Sequence, residues 1–177
     1  VKSYANVLSS TAKGVQLSAL TTAPTAWSWD YDLQSSGIRA DVSYDIWLGV
    51  APSGTAASKA SSYEMHGDGF PFSIGVIIDF LSFYIQPVGS QVTAGAQVGN
   101  HTWNVWTGPN ANWEVISFVS AAGDINSFNA DLKDFFDYIV ANHGVASSQY
   151  VQAIQTGTEP FTGSANLMIH SFSVALN

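Results

Sequence analysis

Apolar and polar residues alternate in short runs along most of the chain, and Gly, Pro, Ser and Asn separate the runs. A period of two sends successive side chains to opposite faces of a strand, so the pattern predicts a half-buried antiparallel β protein. The stretch at 38–49 shows it best: Val42, Tyr44 and Ile46 fall on one face, and Asp41, Ser43, Asp45 and Trp47 on the other. Further strands are predicted at 101–108 and 112–120, joined by a turn at Gly108-Pro109-Asn110, and at 149–157 and 166–176.

The period changes once. Between Asn129 and Gly144, the residues Leu132, Phe135, Phe136, Ile139 and Val140 fall at i, i+3, i+4, i+7 and i+8, one face of an amphipathic helix. Asp131 and Asp134 lie early in it, where negative charge suits the helix dipole, and Gly144 is a suitable stop. One helix among many strands predicts a sandwich with that helix on its outer face. No internal repeat or linker divides the chain, so residues 1–177 read as a single domain. The most apolar run, 70–88, is broken by Pro71, Asp79 and Pro87 into pieces too short to span a bilayer.

Composition narrows the function by exclusion. Charged residues make up 10 % of the chain, against roughly a quarter in ordinary soluble proteins. Surface polarity must therefore come from Ser, Thr, Asn, Gln and Gly, which suits a secreted, extracellular β-rich protein. The five cations, Lys2, Lys13, Arg39, Lys59 and Lys133, form no patch, and the net charge is −8. Nothing is there to neutralise phosphates, which argues against nucleic acid or an anionic membrane as partner. Cysteine is absent, so disulfides and thiolate metal sites are excluded. One N-x-T sequon at Asn100 is a candidate glycosylation site in an exported protein. The chain begins at Val1 without a leader or initiator Met, as expected of a processed protein or a fragment.

Candidate chemistry rests on few residues. The glutamates are Glu64, Glu114 and Glu159, and glycoside hydrolysis usually needs two carboxyl groups flanking the scissile bond. Glu159 follows a predicted strand and precedes Pro160 and Phe161; partial desolvation there would raise its pKa into the range of a general acid. By the local pattern alone, a solvated turn glutamate is the commoner outcome. Glu64 stands at the apparent start of a strand. Asp45 lies mid-strand, where Asp is disfavoured and usually has a reason to be, although an exposed, inert carboxylate fits equally. Glu114 reads as an ordinary surface residue. Six Trp and seven Tyr are many for a β-sandwich, and sugar rings stack on such side chains. Trp47, on the face of Asp45, is the best candidate platform, or equally a core residue of a two-sided sheet. The four histidines, His66, His101, His143 and His170, show no metal-ligand spacing. Nucleophile-elbow, dinucleotide and P-loop motifs are absent.

Taken in order, VKSYAN at 1–6, AWSWD at 26–30, IRADVSYDIWLG at 38–49, SSYE at 61–64 and IQPVGSQV at 85–92 resemble glycoside hydrolase family 12, the fungal endo-β-1,4-glucanases and xyloglucanases. The likeness continues through TWNVWTGPN at 102–110, WEVISFV at 113–119, LKDFFDYI at 132–139 and SSQY at 147–150. GTEPFTGS at 157–164 is the most specific stretch. The resemblance implies a concanavalin-like jelly-roll sandwich with a concave cleft and a monomer secreted to act on β-1,4-glucan. No cofactor or metal is implied. It implies a retaining double displacement with Glu64 as nucleophile, Glu159 as acid/base and Asp45 supporting the nucleophile. Phe161, two residues beyond Glu159, would share its strand face and line the cleft.

Two departures qualify the likeness. Family members carry N-terminal strands ahead of the VKSYAN position, with paired cysteines, and these are missing. Residues 65–84 replace an alternating apolar strand after the nucleophile with a longer segment bearing Gly67, Gly69 and Pro71, which suit a strand badly. The expectation is a misread exon boundary or retained intron over those residues. The alternative to an active hydrolase is then a catalytically impaired carbohydrate-binding relative, or a non-functional gene-model fragment.

Overall fold

The alternating runs become strands. A computed structural model of the chain describes residues 4–53, 74–79, 87–110 and 113–177, with backbone alone for 74–79 and 113. Among these residues the strands are β1 (Ala5–Leu8), β2 (Pro24–Gln34), β3 (Arg39–Gly49), β4 (Ile74–Asp79) and β5 (Ser90–Val98). They continue with β6 (His101–Asn110), β7 (Trp113–Ser120), β8 (Ser127–Asp131), β9 (Tyr150–Thr162) and β10 (Ala165–Val174). One α-helix, α1 (Leu132–His143), separates β8 from β9. The larger sheet runs β1-β9-β3-β4-β7-β6-β5 and the smaller β10-β2-β8. Their pairings are antiparallel except for β4 with β7, which is parallel.

The two sheets share one core, which makes the molecule the all-β sandwich that alternation predicts. Val42, Tyr44, Ile46 and Leu48 of β3 are fully buried, and so are Trp103 and Val105 of β6 and Phe118 of β7. Opposite them stand Trp27 of β2 and Phe128 of β8. Tyr44 meets Trp27 edge-on at 5.4 Å between ring centroids and Phe128 at 5.9 Å. Edge-to-face packing of this kind adds to the gain from burial alone.

The helix begins later than its period suggests. Asn129–Asp131 belong to β8, paired with Ala26, Thr25 and Pro24 of β2. Asp131 makes the switch: one carboxylate oxygen accepts from the Lys133 N–H at 2.9 Å as N-cap, and from the Ala23 N–H at 2.6 Å. Gly144 closes the helix in the left-handed conformation, φ 69°. Phe135 packs on Trp103, Phe118 and Phe128, so α1 lies against the side of the large sheet that faces away from Asp45.

Two expected boundaries move for one reason: a ladder overrides local turn chemistry. Gly108, Pro109 and Asn110 are not a turn but the end of β6, paired with Val115, Glu114 and Trp113. The C-terminal run does not stop at Gly157, because β9 continues through Thr162 beside β3. Pro160 lies in β9 opposite Ala40 of β3, and among the described residues pairing with β1 ends at Thr158. Of the 65–84 segment, Ile74–Asp79 forms β4 between β3 and β7; Glu64 and the remainder lie outside the described residues. No helix among the described residues is long and apolar enough to cross a membrane.

Candidate active site

The register of β3 against β9 assembles the site. Asp41 pairs with Glu159, Ser43 with Gly157, Asp45 with Gln155 and Trp47 with Ala153. Because even-numbered β3 residues take the core, the odd-numbered ones and their partners share the opposite face of the large sheet. Asp45 and Glu159, both singled out from the sequence, therefore stand on one face. Glu159 is not in a loop after a strand, as its Pro-Phe context suggests, but within β9.

On the far side of β9, β1 approaches closely at Gly157. A Cβ there would collide with the Ala5 carbonyl and the Asn6 backbone, so only glycine admits β1 at this spacing. The approach brings in Tyr4, which stands just before β1. Its buried hydroxyl faces Asp45, and its pKa is pushed well above the ordinary phenol value by burial and then by Asp45, Asp41 and Glu159.

Burial dominates the electrostatics. It pushes the Asp45 carboxyl up to about 7, helped by the charge of Glu159 and opposed by the Tyr4 hydroxyl. Burial likewise raises Glu159, and a hydrogen bond from the Asp41 side chain opposes that rise. Asp41 is 8 % exposed, and its Oδ1 accepts from the Glu159 N–H at 2.9 Å. Beneath the same pair, the Thr158 hydroxyl donates to the Asp41 carbonyl at 2.6 Å and meets the Tyr31 hydroxyl at 3.2 Å. A carboxyl that holds its proton toward neutrality can donate it to a leaving oxygen, and recover it later from water.

The remaining expectations divide. Trp47 does share the Asp45 face but is 8 % exposed. Phe161 is half-buried, yet the register shifts between Arg39 and Ala40, whose partners are Thr162 and Pro160. The two-residue rule therefore does not by itself carry Phe161 to Glu159's face. Glu64 lies outside the described residues. Glu114 is exposed. Asn100 is exposed in the tight turn between β5 and β6, at φ 65°, a conformation Asn tolerates better than most residues. Residues the sequence did not single out are Asp41, Tyr4 and Trp106. Asp41 had a signal, since it lies four residues before Asp45 on the same predicted face; Tyr4 had none beyond its motif. Trp106, half-buried on β6, pairs with Ser117 and alternates with the core residues Trp103 and Val105, which places it on the Glu159 face. No group of three or more metal-ligating side chains occurs among the described residues.

Comparison with known proteins places the fold in a family. The family model described as Glycosyl hydrolase family 12 matches residues 1–177. Xyloglucan-specific endo-beta-1,4-glucanase A of Emericella nidulans is 38% identical over 178 residues, spanning 100% of this chain and 67% of that protein. Endoglucanase A of Aspergillus kawachii is 35% identical over 185 residues, spanning 100% of this chain and 70% of that protein. The solved catalytic domain of Humicola grisea Cel12A, in complex with a soaked thio cellotetraose, is similar at TM-score 0.82 and 32% identity, over 99% of this chain and 73% of that one. With the family model matching residues 1–177 and the sandwich of a solved member reproduced, the chain belongs to glycosyl hydrolase family 12.

Proposed function

We propose that the protein is an endo-acting hydrolase of β-1,4-glucosidic bonds in xyloglucan or cellulose-type glucans, working with retention of configuration. The observation that carries this reading is the placement of Asp45 and Glu159 on one face of β3 and β9, each with its proton affinity raised by burial. In the proposed reaction Glu159 protonates the departing oxygen while Glu64 attacks the anomeric carbon, forming a covalent glycosyl-enzyme. Glu159 then takes a proton from the incoming water. Asp45, protonated up to about pH 7, donates a hydrogen bond to the nucleophile and keeps it oriented. Retention asks that the two glutamate carboxyls stand roughly 5–5.5 Å apart. Phe161 and Trp47 are the proposed sugar contacts. The names of the relatives put xyloglucan first among substrates to try. The protein acts in this reading as a secreted, single-domain monomer that carries a glycan at Asn100.

Release of reducing ends from xyloglucan and from soluble β-glucan tests the reading. Glu159→Gln should lower kcat by about 100-fold or more with a smaller change in KM. Wild type no more active than Glu159→Gln would sink the hydrolase reading, and glycan binding without turnover would then favour a carbohydrate-binding relative. Proton NMR of the first-formed product should show the β-anomer.

A further inference from the structure

We propose that Asp41 is a positioning residue for Glu159: its buried carboxyl group grips β9 at the acid/base and fixes where that side chain points. The inference rests on reading Glu159 as the acid/base. Asp is a poor strand former, and a buried carboxylate is costly without partners. At position 41 it is nonetheless 8 % exposed in the middle of the large sheet, and its Oδ1 takes the Glu159 N–H at 2.9 Å.

The place it grips is where β9 is otherwise least restrained. Among the described residues, pairing with β1 has ended at Thr158. Pro160 offers no N–H. The register with β3 slips between Ala40 and Arg39. Glu159 keeps its pairing with Asp41 of β3 but sits beside these three interruptions, so the ladder restrains it less than the middle of β9. The Asp41 side chain adds a tie to the ladder, and the Thr158 hydroxyl, one residue before Glu159, fastens β9 to Asp41 a second time by donating to its carbonyl at 2.6 Å. The Asp41 carboxyl also hydrogen-bonds the Glu159 side chain and draws its pKa downward. Asp41 thus bears on both the position and the proton affinity of the acid, the latter against the larger, opposite effect of burial. Facing Glu159 among the described residues are Tyr4, ahead of β1, and Asp41 and Asp45 of β3.

Two substrates separate positioning from general damage. Xyloglucan has a poor leaving group and needs the acid, whereas a 2,4-dinitrophenyl β-cellobioside leaves without a proton. Asp41→Leu should lower kcat/KM for xyloglucan by about 100-fold, the scale of a misplaced catalytic group, and leave the activated glycoside largely unchanged. The basic limb of its pH profile should move upward, because the hydrogen bond that lowers Glu159 is gone. Asp41→Asn keeps both an acceptor and a donor and should restore most of the xyloglucan activity. Should Asp41→Leu not fold, Asp41→Ser serves in the same comparison. Equal losses on both substrates, or an unmoved basic limb, would overturn the proposal. Glu159→Ala is the reference: if it fails to spare the activated glycoside, the acid/base reading falls, whatever Asp41 does.

Discussion

Asp45 carries a stability signature as well as a proposed role. Its carboxyl binds a proton more tightly in the folded chain, at about 7, than the ordinary value near ~3.9 in the unfolded one. Between those values the native state holds the extra proton, so unfolding becomes easier as pH rises through the window. The effect is fully favourable below about pH 4 and gone above about pH 7, on the order of a few kcal/mol at most. Asp45→Asn removes it: melting temperatures measured from pH 4 to 8 should fall less for this variant than for wild type, and parallel curves would contradict the assignment. At this scale the residues were unevenly legible. Glu159 stood out through GTEPFTG, although its local sequence suggested a turn. Asp41 was placed on the right face by alternation, but nothing in the sequence said that its carboxylate meets the Glu159 N–H, because that contact joins residues 118 apart.

Among the elements, β1 is the most exposed to a single change. Among the described residues it is an edge strand of the large sheet, paired with β9 alone, and seated over Gly157. Gly157→Ala would drive a methyl group into the Ala5 carbonyl and the Asn6 backbone. The cost should be about 1–3 kcal/mol, read as a lower denaturant midpoint, with activity falling too because Tyr4 moves with β1. A variant that unfolds at the wild-type midpoint would show that β1 relaxes freely. Helix α1 was the easiest element to read, since five apolar residues on one stripe admit little else. Its start was not, because Asp131 serves as the last residue of β8 and the N-cap of α1 at once. The ends of β6 and β9 depart from the local pattern for a related reason: Gly108-Pro109-Asn110 and Glu159-Pro160 carry turn chemistry, and neighbouring strands hold them extended regardless.

For the whole molecule, Phe135 is a useful probe of how the layers are joined. It is fully buried and touches Trp103 and Phe118 of the large sheet and Phe128 of the small one. Phe135→Ala should therefore cost about 3–5 kcal/mol, measured by chemical denaturation, and a loss below about 1 kcal/mol would mean that the sheets do not depend on the helix. The sequence by itself determined the all-β class, the single helix and the two faces of β3, because side-chain period depends only on local backbone geometry. Through its motifs it also determined the family. Only the tertiary structure decided that β9 runs on through Glu159, that β1 closes over Gly157, and that Asp41, Asp45, Tyr4 and Glu159 share one desolvated face. Those facts depend on register between strands distant in the chain, and on burial, which no local pattern encodes.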